Sequence, residues 1–269
     1  MIFNDIRAAF RRPISAAALS LALLGAGVAL VPADMAAAAG DAFSADQKAQ
    51  IGALIKDYLI KNPEIMIDVQ RILDAKQEAQ RQESATKAVS ENAANLYRNA
   101  ALPVVGNPKG DVTVVEFFDY NCGFCRKAVD AMGKLMDVDK KVKFVMVDFP
   151  IFGKDSEAAA RVAIAAGKQG KYWELHQALL LHKGANNEET ALQLSEKMGL
   201  DMAKLKADAA APETAKLMAD NRALAERLGI QGTPHFYVGE KVIPGAPEGL
   251  YDELAMLIGD VRKYGCKIC

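Results

Sequence analysis

The chain has 269 residues, of which 51% are hydrophobic and 25% are charged. This balance is typical of a globular protein with one or two domains. Its 33 basic and 34 acidic residues nearly cancel, which argues against nucleic acid as a partner and against binding through charge to a membrane surface.

Residues 1–39 have the pattern of a secretory signal peptide. Three arginines lie within the first 12 residues, an apolar run covers residues 14–31, and alanines at 36–39 suit a signal peptidase. The apolar run is nearly long enough to span a bilayer, so an uncleaved membrane anchor is the alternative. The alanines favour cleavage. We therefore expect a periplasmic or otherwise secreted protein, in a compartment where disulfides persist.

Residues 40–100 are predicted to form a helical N-terminal extension. Apolar residues recur at helical spacing before and after Asn62 and Pro63, which indicates two helices. No glycine or proline interrupts residues 64–101, so the second helix is predicted to be long, although its apolar pattern after Leu73 is too irregular for a coiled coil. The apolar positions are Ile51, Leu54, Ile55, Leu59, Ile65, Ile72 and Leu73.

The apolar side chains of the extension need a surface to pack on, because such helices bury little by themselves. Copies of the same segment, residues 41–98, supply that surface in a homo-oligomer. The chain's own second domain is a competing surface, and a partly frayed, solvent-exposed linker is a third interpretation. Full burial of each apolar side chain is worth roughly 1.5–3 kcal/mol, and we therefore expect self-association.

From residue 101 the pattern becomes that of an α/β domain. Residues 112–118 form a continuous β-type run, as expected for a strand that is buried on both faces. The predicted order is a loop at residues 103–108, a strand at 112–118, a helix at 122–136, a strand at 142–147, helices over 155–229, strands at 235–238 and 241–243, and a closing helix at 250–261.

Cys122 and Cys125 are the candidate redox pair. Cys122 follows the buried-type strand and starts a helix, where unpaired backbone N–H groups and the helix dipole favour the thiolate. Cys125 lies one turn later on the same side, within reach to resolve a mixed disulfide. A zinc site that uses all four cysteines is the alternative, but about 140 residues separate the two Cys-x-x-Cys pairs. We therefore expect no metal and no cofactor.

The segment at residues 116–125, EFFDYNCGFC, resembles the active-site strand and helix start of the DsbA family. Gly-Thr-Pro at 232–234 resembles that family's cis-proline loop, and residues 171–176 resemble part of its inserted helical domain. The resemblance covers about residues 102–264. It implies an α/β thioredoxin-like domain at residues 101–265 with a helical insertion at about 155–229.

The resemblance also implies roles for single residues. Cys122 and Cys125 exchange disulfides, and Glu116 lies beneath them and aids proton transfer to Cys125. Pro234 is cis and faces the pair, and Thr233 offers backbone groups to a bound substrate. The alternative for Glu116 is an exposed carboxylate at the end of its strand.

One departure from the family concerns the residues between the cysteines. Strongly oxidising members carry a histidine there, whose ring donor steadies the thiolate. This chain has Gly123 and Phe124, and a phenylalanine ring cannot donate a hydrogen bond. We therefore expect a less acidic Cys122 and a milder oxidant.

The extension, and residues 58–65 in particular, resembles the helical stalk of ScsC-related members of the family. This favours an oligomeric disulfide isomerase or reductase. A monomeric oxidase that donates its disulfide is the first alternative, and a copper-binding or chaperone-like protein without turnover is the second. We expect cysteine-containing proteins as substrates and a membrane redox partner.

Cys266 and Cys269 form the second Cys-x-x-Cys pair, in a C-terminal tail at residues 266–269. One interpretation is an exposed auxiliary redox pair. The other, which we favour from the sequence, is a terminal disulfide or two thiols without a role.

Overall fold

The computed structural model describes residues 43–269, so the predicted signal peptide at residues 1–39 lies outside the described part. The chain divides after Ile67 into two compact units, which we describe in turn. None of the helices within residues 43–269 has the length and apolar character that crossing a bilayer requires.

The described part of the first unit contains helix α1 (Ala45–Lys61) and the start of a second helix. A capping box starts α1: the Ser44 hydroxyl accepts from the Gln47 amide at 3.2 Å, and the Gln47 side chain accepts from the Ser44 amide at 2.8 Å. Asn62 ends the helix, and its side chain donates to the carbonyl oxygen of Tyr58 at 2.8 Å. No residue of α1 is buried.

Helix α2 (Glu64–Glu91) begins in the first unit and continues into the second, where α3 (Ala93–Tyr97) follows it. The break between them corrects the prediction of one long helix. The Asn92 side chain donates to the carbonyl oxygen of Ala88 at 2.9 Å and accepts from Arg227 at 2.9 Å. Such side-chain bonds compete with the helical backbone pattern. The buried apolar residues around the break are Val89, Ala93, Leu96 and Tyr97.

A five-stranded sheet forms the core of the second unit. Its strands are β1 (Val104–Gly106), β2 (Val112–Phe118), β3 (Val142–Asp148), β4 (His235–Val238) and β5 (Lys241–Pro244). Their order is β1-β3-β2-β4-β5, with β2 and β3 parallel and the other neighbours antiparallel. All seven residues of β2 are buried, which confirms the prediction of a strand covered on both faces.

Strand β1 lies where the sequence predicts a loop. Val105 pairs with Phe144 of β3 and is buried, and Gly106 ends the strand with a φ of 76°. The prediction was wrong because Pro103 and Gly106 give a strong local loop signal, whereas the pairing with β3 is a long-range contact.

Seven helices complete the second unit from α4 onwards. They are α4 (Gly123–Val138), α5 (Lys154–Gly167), α6 (Tyr172–Leu181), α7 (Glu188–Lys197), α8 (Met202–Ala210), α9 (Pro212–Arg227) and α10 (Leu250–Tyr264). Helices α5 to α9 lie between β3 and β4, and α5 contacts all four of the others. Its fully buried alanines, among them Ala159 and Ala163, let those helices approach closely. The protein therefore has a thioredoxin-like α/β fold with inserted helices, and a helical extension precedes it.

Candidate active site

Cys122 is the N-cap residue of α4, four positions after the end of β2. Its sulfur lies 3.1 Å from the carbonyl oxygen of Thr233, to which it donates when the thiol is protonated. The peptide bond between Thr233 and Pro234 is cis, as the resemblance implies. Cys125 lies one turn into α4 and is fully buried, whereas Cys122 is 3% exposed. The structure thus brings four of the five predicted site residues into one place.

Hydrogen bonds to Cys122 lower its pKa to about 5 from an ordinary value of 9.0. The largest cause is the Cys125 side chain, and the backbone amides of Cys125 and Phe124 add to it, while burial opposes it. These amides are the unpaired donors of the first helical turn. Cys122 is therefore a thiolate at neutral pH, the form that attacks disulfides.

The pKa of Cys125 moves in the opposite direction. Burial raises it most, and its hydrogen bond to Cys122 raises it further because the Cys125 proton is the one donated. One cysteine is thus ready to attack, and the other keeps its proton until a base removes it.

Glu116 is the fifth predicted site residue, and the structure places it in the interior of β2. Its exposure is 0%, and neither carboxyl oxygen has a hydrogen-bond partner among the described residues. Burial raises its pKa well above the ordinary value, and the nearby charges of Cys122 and Asp148 raise it further. Glu116 is therefore a buried carboxyl that holds its proton more tightly than usual, and the alternative of an exposed strand-end carboxylate is excluded.

Asp148 is a second buried carboxyl near this site that the sequence analysis missed. It pairs with Phe118 across β2 and β3, so its side chain lies on the same face of the sheet as Glu116. The Tyr172 hydroxyl donates to Asp148 Oδ2 at 3.0 Å. Burial raises the pKa of Asp148 to about 8. The two buried carboxyls thus lie on one face of the sheet, and Glu116 is close enough to Asp148 and to Cys122 for their charges to interact.

Asp119 joins the active-site turn to the loop that follows β3. Its Oδ1 accepts from the Asn121 amide at 2.7 Å and from the Ser156 hydroxyl at 2.8 Å. Its Oδ2 accepts from the amides of Ile151 at 2.7 Å and Phe152 at 3.0 Å. These four donors compensate for the removal of this carboxyl from water. The exposed side chain of Phe152 is thereby held beside the turn that carries Cys122.

Asn121 joins the same turn to the inserted helices. Its Nδ2 donates to the Asn186 carbonyl oxygen at 2.9 Å, and its Oδ1 accepts from the Asn186 amide at 2.7 Å. Arg126 of α4 donates to the carbonyl oxygens of His182 and Gly184, the latter at 2.7 Å. The loop between α6 and α7 is thus bonded directly to the start of the redox helix.

The remaining candidate ligands lie apart from one another. Cys266 and Cys269 form a disulfide, whereas Cys122 and Cys125 are free thiols, so the four cysteines do not form a common zinc site. His176 is buried among aromatic rings, and burial lowers its pKa to about 3. Within residues 43–269 no group of three or more histidine, cysteine or carboxylate side chains is arranged to hold a metal ion.

Two family models match the chain. The model described as a DSBA-like thioredoxin domain matches residues 113–254, more than half of the chain. The model described as the copper resistance protein ScsC N-terminal domain matches residues 47–80, within the extension.

Curated relatives also match part of the chain. Disulfide bond formation protein D of Bacillus subtilis is 31% identical over 169 residues, which cover 56% of this chain and 73% of that protein. Na(+)/H(+) antiporter NhaA 1 of Salinispora arenicola is 31% identical over 137 residues, which cover 50% of this chain but 21% of the antiporter. The chain thus spans about a fifth of the length of that relative.

Solved structures give the same result for the fold. A thioredoxin-like oxidoreductase from Silicibacter pomeroyi is 43% identical with a TM-score of 0.60, and the match covers 63% of this chain and 97% of that one. A linker-deletion mutant of ScsC from Proteus mirabilis is 26% identical with a TM-score of 0.63, and it covers 83% of this chain and 99% of its own.

Proposed function

Because the chain belongs to the DsbA-like thioredoxin family, and its family domain is a thiol–disulfide oxidoreductase of DsbA and ScsC type, we propose that the whole protein is an oligomeric disulfide isomerase or reductase. Its substrates are cysteine-containing proteins. The single observation that carries the oligomer is the exposed apolar surface of the extension, since the second unit has a core of its own.

The roles of the site residues follow from their surroundings. The Cys122 thiolate attacks a substrate disulfide, which forms a mixed disulfide and releases one substrate thiolate. Cys125 then attacks the Cys122 sulfur, which releases the second substrate thiolate and leaves the Cys122–Cys125 disulfide. Glu116, in its ionised form, takes the proton from Cys125. Thr233 and Pro234 hold the substrate backbone beside Cys122.

Two variants test these roles. We expect Cys122→Ala to abolish disulfide exchange with a reduced or scrambled protein substrate, because the attacking thiolate is gone. Cys125→Ala keeps the attacking thiolate but lacks the thiol that breaks the mixed disulfide. Mixed disulfides with the substrate therefore accumulate and appear on non-reducing gels. Full activity in Cys122→Ala would contradict the assignment.

The extension exposes many large apolar side chains within residues 43–98. Leu54 and Ile72 are each 68% exposed. The whole set is Phe43, Ile51, Leu54, Ile55, Tyr58, Ile60, Met66, Ile67, Val69, Ile72 and Leu73. Burial of each is worth roughly 1.5–3 kcal/mol, so several together exceed the estimated cost of association of about 4–15 kcal/mol. Self-association through residues 41–98 would bring several active sites together, as isomerisation of a multi-disulfide substrate requires.

The oligomer is tested by charges placed on this surface. We expect Leu54→Asp combined with Ile72→Asp to convert a multimer into a monomer in sedimentation experiments, because the carboxylates cannot be buried without partners. Isomerase activity is lost and simple oxidation of a dithiol substrate is kept. Gln77→Asp, at an exposed polar position of α2, is the matched control and leaves the multimer intact. A wild-type protein that is monomeric at micromolar concentration would contradict the proposal.

A monomeric oxidase is the second candidate function, and the pKa of Cys122 favours it. A thiolate that is stabilised in the reduced protein makes the Cys122–Cys125 disulfide a better oxidant. The sedimentation experiment separates the two candidates, since an oxidase needs no multimer.

Export and a redox partner complete the proposal. The signal-like pattern at residues 1–39 and the disulfide between Cys266 and Cys269 support a periplasmic or otherwise secreted location. In that compartment a membrane protein supplies or removes the electrons of the redox pair.

A further inference from the structure

The disulfide between Cys266 and Cys269 plays no part in the site described above. It follows directly after α10, whose C-cap is Gly265. Cys269 is exposed and Cys266 is half-buried. The Cys269 amide donates to the Cys266 sulfur at 3.1 Å. A thiolate that approaches from solvent therefore reaches the Cys269 sulfur first. Its attack on Cys269 breaks the S–S bond and leaves Cys266 as a thiolate, which accepts the N–H bond of Cys269.

The second unit holds this disulfide in place. Arg98 donates to the carbonyl oxygen of Ile268 at 2.8 Å, and the Ile268 side chain packs against the hydrophobic core. The Cys266 sulfur lies beside Gly239, where an added Cβ would be 3.7 Å from it. The pair is thus presented on a folded surface with one cysteine open to solvent.

The two cysteine pairs lie at opposite ends of β2. Cys266 and Cys269 line a cavity of about 570 Å³ together with residues 111–113 at the start of that strand, whereas Cys122 follows its end. A strand of this length spans about 20 Å. The two pairs of one chain cannot exchange directly, so a reaction between them requires two copies of the chain.

The surroundings of the two pairs favour opposite redox forms. Cys122 lies at the positive N-terminal end of α4, whereas Cys266 follows the negative C-terminal end of α10. Arg262, in the last turn of α10, is already ion-paired with two aspartates. Lys267, between the cysteines, is exposed, and solvent screens its charge. The Cys266 thiolate accepts one N–H bond, whereas Cys122 accepts bonds from the Cys125 thiol and from two backbone amides. A dithiol whose thiolate is less stabilised is the stronger reductant. Electrons therefore flow from Cys266 and Cys269 towards Cys122 and Cys125.

We propose that Cys266 and Cys269 are a second redox site through which electrons enter the protein, and that their dithiol reduces the Cys122–Cys125 disulfide of another copy. The inference rests on the proposed isomerase or reductase function, which needs a source of electrons to keep Cys122 reduced. The external donor is a protein dithiol.

Electrons pass first from the donor to the tail and then from the tail to the Cys122–Cys125 disulfide. The donor's thiolate attacks Cys269, Cys266 leaves, and the donor's second thiol resolves the mixed disulfide, so the donor is oxidised and the tail is reduced. The Cys269 thiolate then attacks Cys122 of another copy, and Cys125 leaves and takes up a proton. Finally the Cys266 thiolate attacks Cys269, which restores the tail disulfide and releases Cys122 as a thiolate.

Two full-length variants test the transfer. Cys122→Ser/Cys125→Ser, reduced with dithiothreitol and desalted, carries only the tail dithiol. Cys266→Ser/Cys269→Ser, oxidised, carries only the active-site disulfide. After mixing, quenching with a maleimide-polyethylene glycol reagent reports which pair holds the thiols. We expect the active-site pair to become reduced, at least tenfold faster than with the free peptide Gly-Cys-Lys-Ile-Cys at equal concentration.

The outcomes separate this inference from the proposed function. If no electrons move, or if the free peptide reacts as fast as the folded tail, the second site is overturned. The isomerase activity of Cys266→Ser/Cys269→Ser with added glutathione tests the proposed function alone, because the external thiol replaces the tail. If this variant is an active isomerase but the tail transfers no electrons, only the second redox site is overturned. If this variant is inactive with glutathione present, the proposed isomerase function is overturned.

Discussion

At the scale of single residues, two thiols one helical turn apart acquire opposite properties from their positions. Cys122 caps α4 and accepts hydrogen bonds, whereas Cys125 is buried behind it and donates one. Hydrogen bonds from the Cys125 thiol and from backbone amides lower the pKa of Cys122, whereas burial is the largest cause that raises the pKa of Cys125.

The first prediction concerns the pH dependence of Cys122. We expect its alkylation rate by iodoacetamide to rise with pH through a midpoint near 5, because only the thiolate reacts. The measurement uses Cys266→Ser/Cys269→Ser, so that the tail does not contribute. Cys125→Ala raises the midpoint, because it removes the thiol whose hydrogen bond is the largest cause of the lowering. A midpoint near 9.0, the ordinary value, would show that the helix start has no effect on this thiol.

The second prediction concerns Asp148 and stability. Its pKa is about 8 in the folded protein and 3.8 ordinarily. Below pH 3.8 both the folded and the unfolded chain hold the proton, and the contribution of the neutral carboxyl to stability is fully present. Between these two values the folded chain keeps a proton that the unfolded chain releases, so stability falls as pH rises towards 8.

Asp148→Asn removes this pH dependence. We expect the free energy of unfolding of the variant to rise relative to that of the wild type by up to about 1.4 kcal/mol for each pH unit. Urea unfolding from pH 5 to pH 8 measures this difference. The control is Asp130→Asn at an exposed position of α4, which removes a carboxylate from the surface and leaves the buried one in place. A constant difference for Asp148→Asn would rule out the buried proton.

At the scale of elements, two glycines offer a test of local packing. Gly133 lies inside α4, where an added Cβ would meet no atom within 4 Å. Gly110 lies before β2, where a Cβ would be 2.5 Å from the Lys141 carbonyl oxygen and 2.6 Å from the Lys143 amide nitrogen. The first glycine is dispensable, whereas the second permits a close approach of two backbone segments.

We expect Gly133→Ala to stabilise the protein by about 0.5–1 kcal/mol, because alanine loses less entropy in a helix. Gly110→Ala destabilises it by about 1–3 kcal/mol, because backbone atoms must move. Chemical unfolding of the two variants measures both values. A loss of stability in Gly133→Ala would mean that α4 is more tightly packed there than the structure indicates.

The elements also show what a sequence can predict. The continuous apolar run of β2 and the helix that starts at Cys122 are local patterns, and both were predicted. Strand β1 depends on pairing with β3, and the bonds of Asp119 join residues up to 37 positions apart. Such contacts leave no periodic signal in one sequence. The sequence shows only two short polar side chains, Asp119 and Asn121, close to Cys122.

At the scale of the whole molecule, the sequence predicted an extension but not where it ends. The predicted segment runs to residue 100, whereas the two units divide after Ile67 and Leu96 and Tyr97 belong to the core of the second unit. The Tyr97 hydroxyl donates to the Gly239 carbonyl oxygen, 142 residues away. Alanine-rich helical sequence looks alike whether it is exposed or packed, so only the tertiary contacts distinguish the two parts.

The position of the one tryptophan decides what an optical experiment on this protein observes. Trp173 lies in α6, stacked on the His176 ring at 5.1 Å between centroids, so its fluorescence reports on the inserted helices. Between residues 43 and 67 the aromatic side chains are Phe43 and Tyr58. Tryptophan emission therefore follows the melting of the catalytic unit and is blind to the extension, whereas circular dichroism records the helices of both.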